Sequence, residues 1–168
     1  ELSIINIDRT SVPGWPINVP GTVYGPIAVG DVNADGSQDI AVGIYSRNQG
    51  VYVYDKSGKL LPGWPYTRSS SIDSVILANI DSDKYLEVIA TEFSYVYVFE
   101  HDGKLKSGWP KYVYFNSVPV VADINGDGTQ DIIVTALSDI YAWDSSGNEI
   151  NGFPKAITGN RPNSPTIL

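Results

Sequence analysis

The sequence has no cysteine and no methionine, and its 168 residues include a single histidine, His101. The absence of cysteine excludes disulfides, Cys-ligated zinc and thiol catalysis, and one histidine excludes any site that requires two imidazoles. Basic residues are also few: 11 Lys and Arg face 19 Asp and Glu, which gives a net charge of −8. Because Lys and Arg do not cluster, we expect no nucleic-acid partner.

Long apolar runs are missing as well. None approaches the ~20 residues of a membrane span, and no charged, apolar and small-residue leader opens the chain. We therefore expect no membrane span, and no signal peptide is visible. Because the chain begins Glu1-Leu2-Ser3 and lacks methionine, we expect it to be a mature or excised segment of a longer protein.

Two short motifs recur with one period. Gly-Trp-Pro stands at 14–16, 63–65 and 108–110, and Gly-Phe-Pro at 152–154, at spacings of 49, 45 and 44 residues. A nine-residue acidic segment occurs at 31–39, 79–87 and 123–131, at spacings of 48 and 44. Two independent markers that share a period in the mid-forties indicate propeller blades of four strands rather than helical repeats.

Each repeat reads as a series of short strands rich in Val, Ile and Tyr. The third run, such as Val51-Tyr-Val-Tyr54, is apolar on both faces, as in a sheet stacked between two similar sheets. A turn and a short fourth segment then lead into Gly-Trp-Pro. The segment 83–93 lacks Gly and Pro and could form a helix, but the repeat favours a loop followed by a strand.

The predicted fold class is all-β: a β-propeller or part of one, with about three and a half four-stranded blades. Residues 2–13 align with 51–62 as the second half of a blade, and 164–168 align with 118–122 as a first strand. The predicted division is a C-terminal half-blade at 1–13, blades at 14–62, 63–107 and 108–151, and the start of the next blade at 152–168.

The acidic segments, called loops one, two and three in chain order, form candidate metal sites. Each has side-chain oxygens at positions 1, 3, 5 and 9 and a free backbone carbonyl at position 7, a donor set that favours calcium first and magnesium second over zinc or copper. An EF-hand is excluded because position 12, Val42 or Val134, falls within a strand. The alternative is a set of solvated hairpin turns. The candidate ligands are Asp31, Asn33, Asp35, Ser37 and Asp39; Asn79, Asp81, Asp83, Tyr85 and Glu87; and Asp123, Asn125, Asp127, Thr129 and Asp131.

Loop two departs from the pattern of the other two. Asn79 replaces the first Asp, and Lys84 replaces the glycine that Gly36 and Gly128 supply at position 6 for a sharp turn. The lysine charge repels a cation, so we expect weaker metal affinity there, and whether this loop binds metal stays open.

The acidic loop, the Val-Tyr-Val-Tyr strand and the Gly-Trp-Pro together resemble the FG-GAP/VCBS repeat over nearly the whole chain. The resemblance implies a calcium-binding propeller of the kind found in integrin α-chains and secreted microbial proteins, with seven or eight blades in many members. That family includes adhesion modules, lectins, polysaccharide lyases and non-catalytic appendages of secreted proteases. We therefore expect an extracellular protein, secreted or at the cell surface, in keeping with the weak calcium affinities of extracellular modules.

No catalytic constellation is visible, so we predict that the chain is not an enzyme. It lacks Gly-x-Ser-x-Gly, and His101 lies in a predicted turn that we interpret as solvated. Asp55, Glu100 and Asp144 occupy equivalent positions before a turn, which indicates a structural role.

The predicted function is a calcium-binding scaffold or interaction module with a protein or glycan ligand, completed by self-association or by further blades of a parent chain. The alternatives are a lectin-like propeller and a non-catalytic part of a secreted hydrolase or polysaccharide lyase. The Gly-Trp-Pro tryptophans are interpreted as packing anchors rather than sugar platforms. The better sugar-binding candidates vary between repeats: Tyr66, Arg68, Tyr112, Tyr114, Asn116, Asn160 and Arg161.

Overall fold

The structure, a computed structural model, describes residues 1–114 and 117–157, and these residues form twelve strands and no helix. The described residues therefore contain no helix that is long and apolar enough to cross a membrane. The strands are β1 (Ala28–Gly30), β2 (Asp39–Ile44), β3 (Gly50–Tyr54), β4 (Tyr66–Thr67), β5 (Ser74–Ala78), β6 (Glu87–Glu92), β7 (Tyr95–Phe99), β8 (Lys111–Tyr112), β9 (Val120–Ala122), β10 (Asp131–Ala136), β11 (Asp139–Trp143) and β12 (Lys155–Ala156).

These strands make three four-stranded antiparallel sheets, and each sheet follows chain order: β1-β2-β3-β4, β5-β6-β7-β8 and β9-β10-β11-β12. The prediction of an all-β chain built from four-stranded units is confirmed. The segment 83–93 holds a loop and β6, as the repeat predicted, because β6 pairs on both sides, with Ile89 opposite Ile76 and Val98.

The second strand of each sheet is buried along its whole length, so both of its faces are covered. One apolar cluster lies between the first and second sheets and contains Val53 and Val88; another lies between the second and third and contains Val98 and Val134. A third cluster packs the N-terminal segment, through Leu2, on the first sheet. The third strands, which the sequence predicted to be apolar on both faces, are buried along the whole of β3 and from Val96 to Phe99 in β7, whereas β11 is buried only at Ala142 and Trp143. Sheet-on-sheet packing covers both faces where a sheet has a neighbour on each side.

The fourth strand does not lie where the sequence predicts it, between the turn and Gly-Trp-Pro. Leu60 bridges to Tyr54 just before Gly-Trp-Pro, but the paired strand β4 follows the tripeptide, with Tyr66 opposite Val51. The tripeptide is thus looped out of an interrupted fourth strand. The fourth strand of each sheet therefore lies beyond the end predicted for its unit. The predicted boundaries at 62/63, 107/108 and 151/152 fall inside the first, second and third sheets respectively.

The N-terminal segment has the geometry of half a unit. Its bridges Leu2↔Ile17 and Ile5↔Ser11 lie 49 residues before Val51↔Tyr66 and Tyr54↔Leu60, so they reproduce the pairing around the first Gly-Trp-Pro of a complete sheet. This agrees with the alignment of 2–13 to 51–62. The predicted first strand at 164–168 lies outside the described residues.

Each Gly-Trp-Pro connects its own unit to the next. The indole Nε1 of Trp15, Trp64 and Trp109 donates a hydrogen bond to the carbonyl oxygen of Lys56, His101 and Ser145 respectively, at 2.9, 3.0 and 3.1 Å. All three rings are buried. The interpretation of these tryptophans as packing anchors is therefore confirmed.

The glycine of the tripeptide permits this close approach. Gly63 has φ +88°, and a Cβ on it would overlap the carbonyl oxygen of Asp102 in the turn of the next unit. Gly14 and Gly108 have the same conformation and would overlap Ser57 and Ser146. Gly152 also has a positive φ, +94°, but an added Cβ there meets nothing within 4 Å among the described residues.

We expect Trp64→Ala to lower the free energy of unfolding by about 3–5 kcal/mol, because it removes a buried ring and leaves the His101 carbonyl without its donor. Equilibrium urea unfolding measures the change. Tyr24→Ala is the matched control, since that ring is 77% exposed and should cost little. A Trp64→Ala protein as stable as the Tyr24→Ala protein would contradict the anchor.

The equivalent glycines of two tripeptides, Gly63 and Gly152, allow the cost of steric overlap to be separated from the cost of backbone strain. Gly152→Ala should cost only the left-handed conformation, about 1–2 kcal/mol. Gly63→Ala should cost roughly 1–3 kcal/mol more, because its Cβ also overlaps the neighbouring turn. Thermal unfolding of both variants measures the difference, and equal costs would mean that the turn moves freely.

Candidate metal-binding loops

The three acidic loops occupy equivalent places in the three sheets. Each connects the first strand to the second, and position 9 is the first residue of the second strand: Asp39 opens β2, Glu87 opens β6 and Asp131 opens β10. The antiparallel pairing sets Asp39 opposite Gly30, the last residue of β1. Each loop is therefore closed at its base by the sheet.

The position-9 carboxylates are buried, and each has one oxygen without a hydrogen-bond partner among the residues that the structure describes. Their other oxygen accepts a hydrogen bond from the backbone N–H of position 2, at 3.0 Å from Val32 to Asp39, 2.9 Å from Ile80 to Glu87 and 3.0 Å from Ile124 to Asp131. The remaining oxygens are Asp39 Oδ1, Glu87 Oε1 and Asp131 Oδ1. Because an unpaired buried carboxylate oxygen is costly, the same orphan in three loops needs a common explanation.

Burial shifts the acidity of these groups in the direction that disfavours charge. It raises the pKa of Asp39, despite the Val32 amide bond, and the nearby carboxylates add to the effect. Burial likewise raises the pKa of Asp131, and it raises the pKa of Glu87 to about 7. A cation beside the orphan oxygens would favour the ionised forms.

In loops one and three, the carboxylates at positions 1 and 5 turn back onto the backbone of their own loop. Asp31 accepts the Asp35 and Gly36 amides at 3.0 and 2.9 Å, and Asp123 accepts the Gly128 amide at 2.9 Å. Hydrogen bonds from Asn33 and the Ser37 amide hold the pKa of Asp35 below its ordinary value. These carboxylates therefore accept hydrogen bonds from the backbone of their own exposed loops.

Asp127 has the same setting in loop three. The hydroxyl and amide of Thr129 donate to it at 2.5 and 2.8 Å and hold its pKa below the ordinary value. Asn125 also donates to Asp127, at 2.9 Å, as Asn33 does to Asp35 at 3.1 Å. At position 7 of loop one the Ser37 hydroxyl receives a hydrogen bond from Lys56 Nζ at 3.1 Å.

Loop two brings carboxylates together in a different way. Within the described part of the chain, the one group of three acidic residues with ligand oxygens within 4.8 Å of one another is Asp81, Glu87 and Glu100, an arrangement that could hold a metal ion. Asp83 caps the Tyr85 amide at 2.6 Å, and Asn79 accepts the Ser82 amide at 2.7 Å and donates to the Asp83 carbonyl. The acidic residues of loops one and three, all of which the structure describes, do not bring three ligand oxygens this close together.

Two residues of this cluster, Glu100 and Lys106, are not among the ligands predicted from the sequence. Lys106 Nζ lies 2.6 Å from Asp81 Oδ2 and 2.9 Å from Glu100 Oε1. Glu100 was assigned a structural role in its turn, as Asp55 and Asp144 have: Asp55 accepts the Ser57 amide at 2.7 Å, and Asp144 accepts the Asn148 amide at 2.8 Å. Its longer side chain instead reaches the loop.

His101 is not the solvated turn residue that the sequence suggested. Its ring stacks on Tyr85 with centroids 3.7 Å apart, and its Nδ1 is buried without a hydrogen-bond partner among the described residues. The stack joins position 7 of loop two to the turn that accepts the Trp64 indole. His101 thus contributes to packing between the loop and the turn.

One of the residues considered for sugar binding lines a polar cleft at the other end of the first sheet. Arg68 joins Arg47, Asn48, Gln49, Thr67 and Ser69 around a cavity of about 750 Å³. Arg68 also lies over the Tyr97 ring at 5.0 Å. Tyr66 packs on Phe99, with ring centroids 4.6 Å apart, and Tyr112 on Tyr95, with centroids 5.4 Å apart. The other candidates are Tyr114, which is exposed, and Asn116, Asn160 and Arg161, which lie outside the described residues.

Comparison with known proteins supports the repeat. A family model described as an FG-GAP-like repeat matches residues 79–134, from loop two into β10. The chain is also similar to the crystal structure of the V. cholerae biofilm matrix protein Bap1, with 16% identity and a TM-score of 0.50. The match covers 82% of this chain and 32% of that chain, so the chain spans about a third of that protein's length. No curated protein matches the sequence.

The buried Glu87 predicts a pH effect on the metal-free protein. Between pH about 4.5 and 7 the folded chain keeps a proton that the unfolded chain has released, so the free energy of unfolding should fall as the pH rises through this window. The rise in pKa corresponds to a loss of stability of about 3 kcal/mol across this window, and Glu87→Gln should abolish that loss. Urea unfolding in excess chelator at several pH values measures the effect, with exposed Glu149→Gln as the control. An unchanged pH profile for Glu87→Gln would contradict this prediction.

Proposed function

We propose that this chain is part of a calcium-stabilised β-propeller that serves as a non-catalytic scaffold or interaction module of an extracellular protein. Three features support the propeller: four-stranded units, sheets that pack face to face, and one Trp anchor that links each unit to the next. In a propeller, each blade makes the same contact with the blade that follows it around the axis. The FG-GAP-like match and the similarity to a biofilm matrix protein are consistent with this architecture.

The observation that carries calcium binding is the orphaned oxygen of the position-9 carboxylate, found in all three loops. In loops one and three it lies at the base of a loop whose other donors are also oxygens: carboxylates at positions 1 and 5 and an amide at position 3. A hard cation with six to eight oxygen ligands would satisfy this set, and calcium accepts such irregular geometry more readily than magnesium.

For loops one and three, the proposed ligands are those predicted from the sequence. In loop one they are Asp31, Asn33, Asp35 and Asp39 with the carbonyl of Ser37, and in loop three Asp123, Asn125, Asp127 and Asp131 with the carbonyl of Thr129. Bound there, calcium supplies the charge that offsets three carboxylates on a short loop. The chain's own contribution is to hold position 9 in the strand, through the position-2 amide, and so to tie the loop to the sheet.

The proposed setting of the module is extracellular. Loops of this type are suited to extracellular calcium concentrations, which saturate sites of 10⁻⁴–10⁻³ M affinity. The repeated equivalents Asp55 and Asp144 bond their own turns, which supports a structural rather than a catalytic role for these carboxylates. The predicted partner is a protein or a glycan, and the predicted division of the chain into blades belongs to the same proposal.

One observation favours glycan binding as a second candidate function. The cleft lined by Arg47, Gln49 and Arg68 has amide and guanidinium donors together and lies away from the acidic loops. Such donors suit the hydroxyl or carboxylate groups of a polysaccharide. A glycan array probed with the wild-type chain and with Arg68→Ala, both with calcium present, would test this function; binding that Arg68→Ala leaves unchanged would exclude the cleft.

Calcium should raise the melting temperature of the chelator-treated protein, because it binds the folded loops and not the unfolded chain; at 100 times Kd the gain is about 2.7 kcal/mol. Asp35→Asn and Asp127→Asn should each remove part of the calcium-dependent increase. Asp8→Asn is the matched control, since Asp8 caps an exposed turn through Thr10 outside any acidic loop. Differential scanning calorimetry with and without calcium measures these shifts.

A melting temperature that neither chelator nor added calcium changes, together with no heat of calcium binding, would overturn the proposed metal sites. An equal loss of calcium dependence in Asp8→Asn and Asp35→Asn would place binding outside the loops.

A further inference from the structure

Loop two differs from its neighbours in how its negative charge is balanced. Loops one and three carry three Asp each and no buried basic side chain in contact with them, within the part of the chain that the structure describes. Loop two carries Asp81, Asp83 and Glu87, and Glu100 approaches from the following turn. The side chain of Lys106, only 10% exposed, ends among these carboxylates.

Lys106 stands at a position that is otherwise apolar. Its backbone N–H donates to Val98 and its carbonyl accepts from Trp109, and the same two bonds are made by Leu61, with Val53 and Trp64, and by Ile150. In the N-terminal half-unit Val12 makes them with Ile4 and Trp15. The four residues are therefore structurally equivalent, and only the unit with the altered acidic loop has a cation there.

The ammonium contacts the acidic groups directly. Lys106 Nζ lies 2.6 Å from Asp81 Oδ2, at position 3 of the loop, and 2.9 Å from Glu100 Oε1. Asp81, Glu87 and Glu100 have oxygens within 4.8 Å of one another, so the ammonium binds two members of this triad, while Glu87 Oε1 has no hydrogen-bond partner among the described residues. A charge in this place supplies part of what a bound cation would supply, and it repels a second one.

Side-chain packing also holds loop two in place. Tyr85, at position 7, stacks on His101 with centroids 3.7 Å apart, and Lys84 Nζ lies 4.7 Å from the Tyr85 ring. The equivalents of Tyr85 are Ser37 and Thr129, which are too small for such a stack. These contacts join the loop to the turn at 101–103 independently of any ion.

We propose that the Lys106 ammonium is the resident cation of loop two and takes the place of a metal ion there, so that the chain binds calcium at loops one and three only. This inference rests on the proposed function, since it concerns which of three loops bind calcium. It also assigns the triad of Asp81, Glu87 and Glu100 to an internal ion pair network instead of a third metal site.

The number of calcium ions bound per chain tests the proposal, measured by isothermal titration calorimetry on chelator-treated protein. The wild type should bind two ions. Lys106→Leu, which installs the residue found at the equivalent position 61, should bind three, because the triad then has no internal cation. Lys106→Arg keeps the charge and should bind two.

Lys104→Leu is the matched control for the change in net charge. Lys104 lies two residues away, is 81% exposed and forms an ion pair with Asp102, so its variant should bind two ions. Circular dichroism of each variant establishes that it is folded before titration, and Lys106→Gln replaces Lys106→Leu if the latter does not fold.

The outcomes separate the two proposals. Three ions in the wild type, or two in every folded neutral Lys106 variant, would overturn the role of Lys106 while leaving calcium binding intact. No calcium binding in any variant would overturn the proposed function itself.

Discussion

A four-stranded sheet with two apolar faces has to be covered on both sides, and each sheet in this chain contains a strand that meets this condition along its whole length. Packing one sheet on the next supplies the cover, and it requires the turn of one unit to come into contact with the preceding Gly-Trp-Pro. The paired glycines, such as Gly63 and Gly103, allow that approach, and the Trp64 indole fixes it with a hydrogen bond. Charge is thereby confined to the ends of the strands, where the acidic loops lie.

The boundary between core and loop explains the chemistry of the position-9 carboxylate. Asp39, Glu87 and Asp131 begin buried strands, so each must place a charged group at the edge of the apolar region. One oxygen is satisfied by a backbone amide, and the other requires a cation or a proton. Under the two proposals, a bound metal would meet this requirement in loops one and three, whereas in loop two Lys106 balances the charges of Asp81 and Glu100 and leaves Glu87 Oε1 without a hydrogen-bond partner among the described residues.

Much of this architecture follows from the sequence because the repeat compares equivalent positions in several copies. The strands, the loops between first and second strands, and the buried tryptophans were all predicted in this way. The position of the fourth strand was not, because β4 has only two residues and pairs across an interruption that periodicity cannot reveal. Glu100 and Lys106 were also missed, since their role depends on a contact between segments that are far apart in sequence. A lysine where Leu61 and Ile150 stand was the available signal.

The first turn of the chain differs from the others in one residue. Arg9, with φ 69°, makes the same turn hydrogen bond as Gly58, which has φ 81°. A Cβ at Gly58 would lie 3.0 Å from the carbonyl oxygen of Gly14, and one at Gly103 would lie 2.5 Å from that of Gly63. Arg9 has such a Cβ. A Gly-Trp-Pro from another unit therefore cannot pack on this turn as closely as the tripeptides inside the chain pack on theirs. The contact between units is thus directional, with a donating tryptophan on one side and an accepting turn on the other. Head-to-tail association of this chain with a second copy would need a different interface at Arg9.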